Sequence, residues 1–533
     1  MTTMEARGAL LLGDEAIAQG ALDAGISGAY GYPGTPSTEI LEYLQKSAQA
    51  AERSVHRDWS ANEKTAMEEA LGLSYAGRRA LVTMKHVGLN VASDAFVNSA
   101  ITGVNGGLVV LVADDPSMHS SQNEQDSRYY GRFAHVPVLE PANQQEAYDM
   151  TYAGFALSEE LGLPILLRVT TRLAHARGEV RRREVLAQRP LSFPKDRRQF
   201  VLLPANARRN YAALIEKQTR LRGLSESSPW NEYFEGPDTS LGIVATGIAV
   251  NYVREVFGDA DIPHPMLRIS QYPMPADMLT DLARQCKALL VVEEGYPFVE
   301  EMLRGVVDMG LTVHGRLDGV LPRTGELSAD AVAQALGFDV PQLRAVPDVV
   351  VPRPPSMCKG CPHVDSYLFL NEALANRETS RVFSDIGCYT LGALPPFESI
   401  NTCVDMGASI TMAKGAADAG VRPAVAVIGD STFTHSGITG LLDAVAEGTQ
   451  MTVLILDNEA TAMTGAQESM AHGRIEKIVL GLGVDPDHLH VVTPLKNQHE
   501  QNVALMRRTL EHPGLSVVVS RRTCIQVAIR NRE

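Results

Sequence analysis

The chain is short of several things that would otherwise steer its reading. It has six cysteines and two tryptophans in 533 residues, and aromatic side chains make up only 6 %. So few thiols exclude a small disulfide-stapled scaffold. No stretch offers about 18 uncharged apolar residues in a row, which excludes a membrane-spanning helix. The N-terminus reads Met1-Thr2-Thr3-Met4-Glu5-Ala6-Arg7 and then has only the apolar run Ala9 to Leu12, too short for a signal-peptide core. Positive charge is in deficit, with 48 Lys and Arg against 63 Asp and Glu and a formal net charge of −15. That balance argues against nucleic acid and against anionic membrane as main partners. No repeat at fixed period and no low-complexity tract is found. The expectation is a cytoplasmic globular protein.

What is present is an ordinary globular balance, 45 % hydrophobic and 21 % charged. The length suits about three domains. Residues 1–190 alternate helical and strand patterns. A helix is expected from Asp14 to Ala24 and another from Asn62 to Tyr75, with Asn62 as N-cap. Short apolar strands are expected at Gly28 to Tyr32, Ala80 to Thr83, Leu108 to Ala113 and Ile165 to Val169. Such alternation predicts an α/β fold, a parallel sheet covered on both faces. Residues 191–236 read as a linker containing a helix. A second α/β unit spans 237–345, and the proline-rich stretch 346–355 reads as an extended linker. The last α/β unit spans 356–533.

That last unit carries the strongest motif. The apolar strand Ala424 to Ile428 runs into Gly429-Asp430-Ser431. A helical pattern follows, with Ile438, Leu441, Leu442 and Val445 on one face. A second strand, Thr452 to Leu456, ends in Asp457-Asn458. Asp430 and Asn458 therefore stand at the carboxyl ends of two parallel strands joined by one crossover, where open α/β sheets bind ligands. A carboxylate and an amide oxygen are hard ligands suited to Mg²⁺, whose shell phosphates complete. An ordinary βαβ unit could show the same two residues. The spacing resembles the diphosphate-binding motif of thiamine-diphosphate enzymes. That resemblance implies Mg²⁺ on Asp430, Asn458 and the carbonyl of Ala460, with Gly429 and Ser431 in the cofactor cradle. Ser431 departs from the family's second glycine.

Thiamine chemistry also needs a carboxyl that shares a proton with the aminopyrimidine ring, so that the ring's amino group can deprotonate the thiazolium carbon. The candidate is Glu63, at the start of a helix in Trp59-Ser60-Ala61-Asn62-Glu63-Lys64. An acid there could equally complement the helix dipole. Glu68 and Glu69 compete from further along the same helix.

Several stretches, in order and spanning nearly the whole chain, resemble the alpha subunit of indolepyruvate:ferredoxin oxidoreductases. They are Tyr32-Pro33-Gly34-Thr35-Pro36-Ser37-Thr38-Glu39, Asn62-Glu63-Lys64, Thr83-Met84-Lys85-His86-Val87-Gly88-Leu89-Asn90, and His119-Ser120-Ser121-Gln122-Asn123-Glu124-Gln125-Asp126-Ser127-Arg128. Later come Thr170-Thr171-Arg172, Cys358-Lys359-Gly360-Cys361-Pro362-His363, Asp385-Ile386-Gly387-Cys388-Tyr389 and Met463-Thr464-Gly465-Ala466-Gln467. The resemblance implies a thiamine-diphosphate-binding fold: two doubly wound domains, pyrimidine and diphosphate, with a transketolase-C-like domain between them. It implies Glu63 as the catalytic glutamate, and Gly387, Met406 and Gly407 at the cofactor. Thr35 and Arg128 would hold the substrate, since an Arg fork matches a 2-oxo carboxylate. Lys85 and His86 follow a strand and are further substrate candidates. The implied activity is oxidative decarboxylation of arylpyruvates with coenzyme A, giving an aryl-acetyl-CoA, CO₂ and two electrons. A non-oxidative 2-oxoacid decarboxylase or carboligase is the alternative, and a cofactor-holding scaffold is a third reading.

Cys358-x-x-Cys361 alone suits a zinc half-site or a redox pair. The resemblance adds Cys388 and Cys524, and implies one [4Fe–4S] cluster on these four thiolates. Cys286 and Cys403 are left as structural. The family's alpha subunits carry a ferredoxin-like tail with further cysteines, whereas nine residues without cysteine follow Cys524 here. Electrons are therefore expected to leave through a small beta subunit or another redox acceptor, ferredoxin or otherwise, in a dimer of heterodimers.

Overall fold

The computed structural model describes residues 8–196, 198–305, 311–340, 347, 349–351, 355–375, 377 and 380–530. The N-terminal heptad and part of the expected 346–355 linker lie outside them. The chain divides into two compact units, Met1–Arg344 and Ala345–Glu533.

The first unit holds two main sheets. One has seven strands, in the order Gln271–Tyr272, Val138–Leu139, Ile165–Thr170, Leu108–Asp114, Ala80–Lys85, Gly28–Gly31 and His56–Trp59. All neighbours run parallel except the edge pair Gln271–Tyr272 with Val138–Leu139. Every residue of Leu108–Asp114 is buried, as an apolar strand covered on both faces requires. The second sheet has five strands, with Gly242–Thr246 at its centre between Met266–Ile269 and Ala288–Val292. The sequence-expected boundary near residue 237 is not a break in packing. The middle segment lends Gln271–Tyr272 to the first sheet, and one continuous apolar core runs from Leu11 to Val332. The helix expected within 191–236 is Pro204–Glu226, opened by a proline at its first turn.

The second unit is built on a five-stranded parallel sheet: Arg381–Ser384, Ala424–Gly429, Met451–Asp457, Leu515–Arg521 and Leu489–Val492, in that spatial order. Successive side chains in a strand point to opposite faces. Ala424, Ala426 and Ile428 accordingly enter one apolar cluster with Met451, Val453 and Ile455, while Val425 and Val427 join Leu454 and Leu456 in another. Burying each such branched aliphatic side chain contributes about 1.5–3 kcal/mol. One expected core residue is corrected. Helix Ile438–Ala446 buries Gly440, Leu441 and Ala444, while Leu442 is 50 % exposed. Leu442 sits one position, or 100°, past Leu441 and so rotates out of the apolar stripe.

Candidate active site

Three strands of the second unit end in acids or amides on adjacent parallel ladders. Gly429 is in register with Leu456, so Asp430 and Asp457-Asn458 leave the sheet side by side. Asp430 is 2 % exposed, and among the described residues its Oδ2 has no hydrogen-bond partner. Burial, reinforced by the nearby Asp457 carboxylate, pushes its carboxyl up to about 8. A buried carboxylate oxygen without a donor is the kind of group a cation compensates. Asp457 is committed elsewhere, bonding Arg521 Nε at 2.5 Å.

Asn458 is held on three sides. Its Nδ2 donates to His363 Nε2 at 3.3 Å, its Oδ1 accepts the Ala460 N–H at 3.2 Å, and its carbonyl accepts the Cys524 N–H at 3.0 Å. His363 is 3 % exposed, and burial lowers it to about 4. A neutral imidazole can accept at Nε2, which orients the amide with its oxygen away from the ring. Glu459 takes φ +64°, reversing the chain so that Ala460 follows directly. Ser431, the expected departure from the motif, bonds Thr461 at 2.8 Å.

Gly387 and Gly429 lie against the Tyr389 ring, where a Cβ on either would come within 2.5 Å of ring carbon Cε1. Gly407 has φ +94° and precedes helix Ala408–Asp418, and a Cβ there would press on Ser436 at 2.4 Å. Met406 beside it is half-buried. The missing Cβ atoms make room for the Tyr389 ring at Gly387 and Gly429 and for Ser436 at Gly407. Asp385 was missed by the sequence reading. It follows strand Arg381–Ser384, is fully buried, accepts from Tyr389 and from the Ser409 N–H, and is pushed up to about 6 by burial. The available signal was an acid directly after a strand, as at Asp430.

The four cysteines come together. Cys388 is pushed up to about 12 by burial and by the neighbouring Cys361, Cys524 and Cys358. Cys361 is raised by burial and by Cys358 and Cys524. Among the described residues, no three of these thiols lie within 4.8 Å of one another. Tetrahedral zinc, with Zn–S about 2.3 Å, would need sulfurs about 3.8 Å apart, closer than any three of these stand. Cys286 is buried in the first unit, and Cys403 is exposed.

In the first unit, Asn62 caps helix Glu63–Tyr75 by accepting the Thr65 N–H at 2.8 Å. Glu63 is 5 % exposed. The competing Glu68 and Glu69 are exposed, Glu68 pairing with Lys64 and Glu69 with the Ser60 hydroxyl. Gly88 packs on the Glu63 carboxyl, where a Cβ would come within 2.7 Å of Oε1. Lys85 ends strand Ala80–Lys85 against Gly34, with burial lowering it and the Asp115 and Glu63 carboxylates raising it, for a net fall. Thr35, half-buried, precedes a cis proline, and its carbonyl accepts from Ser120 Oγ at 3.3 Å. Glu63, Lys85 and Thr35 thus share one neighbourhood.

One substrate expectation is corrected. Arg128 is fully buried and all its donors are engaged. Nε bonds Asp126 at 2.9 Å, Nη1 faces Glu293 at 2.9 Å and Tyr272 at 3.3 Å, and Nη2 reaches Asp126 and the carbonyls of Glu294 and Tyr296. No N–H remains for a carboxylate. Arg128 instead ties the first sheet's loops to the middle segment, in a network completed by Arg168, Asp114 and Glu140. His86 is 1 % exposed, with Nε2 on Asn123 and Nδ1 without a hydrogen-bond partner among the described residues.

The comparisons agree with this geometry. The family model of pyruvate flavodoxin/ferredoxin oxidoreductase, thiamine-diphosphate-binding, matches residues 19–209. The C-terminal TPP-binding domain of thiamine pyrophosphate enzymes matches residues 385–519. The indolepyruvate oxidoreductase subunit IorA of Archaeoglobus fulgidus is 39 % identical, over 96 % of this chain and 86 % of the relative. Those of Methanothermobacter thermautotrophicus and Pyrococcus abyssi are 39 % and 38 % identical, over 98 % and 97 % of this chain and 88 % and 85 % of theirs. A solved 2-oxoglutarate:ferredoxin oxidoreductase from Magnetococcus marinus matches with TM-score 0.51 at 16 % identity, over 62 % of this chain and 65 % of its own, which supports the α/β fold. Among the described residues no helix is long and apolar enough to cross a membrane. The chain belongs to the indolepyruvate oxidoreductase subunit IorA family, the large thiamine-diphosphate-dependent subunits of 2-oxoacid oxidoreductases.

Proposed function

We propose that the chain oxidatively decarboxylates arylpyruvates of the indolepyruvate and phenylpyruvate type with coenzyme A. An arylpyruvate and the CoA thiol give an aryl-acetyl-CoA, CO₂, one proton and two electrons, and the electrons pass to a redox acceptor. A small beta subunit is the expected partner, in keeping with relatives that are named as subunits.

The observation that carries this reading is the pairing of Asp430, a buried carboxyl whose Oδ2 has no donor among the described residues, with Asn458 on the next strand end, in a unit that also gathers four thiols. Asp430, the Asn458 amide oxygen and the Ala460 carbonyl would hold Mg²⁺. Thiamine diphosphate, when bound, supplies a carbon nucleophile and an electron sink for decarboxylation. Gly387, Gly407, Gly429 and Ser431 would admit its diphosphate. Glu63 would hold the proton shared with its aminopyrimidine nitrogen. Thr35 and Lys85 would orient the 2-oxo acid, the hydroxyl toward the oxo oxygen and the ammonium toward the carboxylate. Cys358, Cys361, Cys388 and Cys524 would hold one [4Fe–4S] cluster, a one-electron relay.

The test is iron and acid-labile sulfide in anaerobically purified chain, with arylpyruvate turnover measured with and without coenzyme A. The expectation is about four of each per chain and CoA-dependent reduction of a viologen dye. Iron-free protein that releases arylacetaldehyde without CoA would replace this reading with the non-oxidative one.

A further inference from the structure

A second polar cluster lies in the first unit. Asp14 stands in the first turn of helix Gly13–Asp23, Glu39 in the first turn of Thr38–Lys46, and His175 at the end of Thr171–His175. One ligand atom from each lies within 4.8 Å of the other two. Asp14 is completely buried, yet among the described residues no donor reaches either of its carboxylate oxygens. Its near neighbour is instead another carboxylate, Glu39, which together with burial raises it. Glu39 Oε2 pairs with His175 Nε2 at 3.6 Å, which lowers the Glu39 carboxyl and raises the imidazole, and among the described residues it has no closer partner.

We propose that Asp14, Glu39 and His175 form a site for a first-row divalent metal ion of the zinc class. A buried carboxylate without a donor is costly unless a counter-charge or a proton compensates it. One proton shared between Asp14 and Glu39 would satisfy a single oxygen of Asp14 and leave the other unmet. A divalent ion neutralises both carboxylates and draws on the imidazole as well. The donor set of one nitrogen and two carboxylates suits zinc and its neighbours better than Mg²⁺ or Ca²⁺, which take all-oxygen shells. The 3.6 Å gap is too long for a hydrogen bond but close to the ligand–ligand edge of about 3.0–3.4 Å that follows from metal–ligand bonds of ~2.1 Å. Glu39 and His175 keep 38 % and 36 % of their side-chain surface open, so an ion can enter and a water can complete its shell. The site would fasten the Tyr32-to-Glu39 turn, which carries Thr35, to the first helix of the unit.

The experiment uses the full chain, purified anaerobically, equilibrated with buffered micromolar zinc and desalted. Because thiols elsewhere in a chain are general zinc ligands, the readout is the difference in zinc per chain between wild type and each of Asp14→Asn, Glu39→Gln and His175→Gln. These near-isosteric changes leave the thiols untouched. The expected result is one zinc fewer in each variant, and a zinc-induced rise of several degrees in the wild-type Tm that Asp14→Asn lacks. Equal zinc in all four proteins, with a wild-type Tm indifferent to zinc, would overturn the proposal and assign the cluster to a shared proton.

Discussion

The main-chain N–H of Cys524 donates to the main-chain carbonyl of Asn458 at 3.0 Å, so one backbone hydrogen bond joins a cysteine of the four-thiol set to a strand-end amide. His363, two residues past Cys361, holds the side chain of the same Asn458. The two proposed centres of the second unit are therefore mechanically joined through Asn458.

Because the Cys524 contact is made by backbone, Cys524→Ser removes a soft ligand and keeps the hydrogen bond. Iron and sulfide are expected to fall by at least half, while affinity for thiamine diphosphate with Mg²⁺ changes less than about 3-fold, within the scatter of an indirect contact. Iron assay and quenching of intrinsic fluorescence by the cofactor check the two arms separately. Unchanged iron would remove Cys524 from the ligand set.

Asp430→Asn replaces the buried carboxyl by a neutral isostere. Cofactor affinity is expected to drop more than about 100-fold, beyond the effect of losing a supporting hydrogen bond. The cofactor-free protein should melt no lower than wild type, because a burial penalty has gone. Equilibrium dialysis with Mg²⁺ and scanning calorimetry measure both. Cofactor retention at the wild-type level would dismiss Asp430 as a ligand.

Glu63→Gln keeps the size and burial of the side chain but cannot exchange a proton. Turnover is expected to fall by roughly 10²–10⁴-fold, with cofactor affinity within a few-fold of wild type. Steady-state assays beside a binding titration make the comparison. Near-normal rates would sink the assignment.

Glu293 gives a pH dependence of stability. Burial raises it to about 7, even with Arg128 pulling the other way, against about 4.3 for an ordinary glutamate in the unfolded chain. Between those values the folded protein keeps a proton that the unfolded chain has released. Stability from this group is thus complete below pH 4.3 and is lost as pH rises through 7, by up to roughly 4 kcal/mol. Glu293→Gln should lose less stability than wild type between pH 5 and 7.5 in urea denaturation. Equal losses would place the titration on another group.

Much of the candidate site was legible because it rests on local rules. An apolar strand that stops at Gly429-Asp430 must leave that acid at a sheet end, and Asn62 before an amphipathic run caps a helix wherever the helix packs. Glu63, Glu68 and Glu69 could not be separated that way, since all share one helix and only packing buries the first. Arg128 was misread for a related reason. Its neighbours Asp126 and Ser127 are local, but Glu293 and the carbonyls of Glu294 and Tyr296 arrive from about 165 residues away and use up its donors.

By itself, then, the sequence determined the parallel α/β architecture, the two strand ends that present Asp430 and Asn458, and the helix start that presents Glu63. These follow from hydrophobic period, glycine placement and capping, all of which act within a few residues. Tertiary structure alone decided which charges are buried, how far apart the four thiols stand, that the middle segment shares the first sheet's core, and that Asp14, Glu39 and His175 meet. Those outcomes depend on which distant side chains fill the same space, and desolvation and charge pairing act on that proximity rather than on distance along the chain.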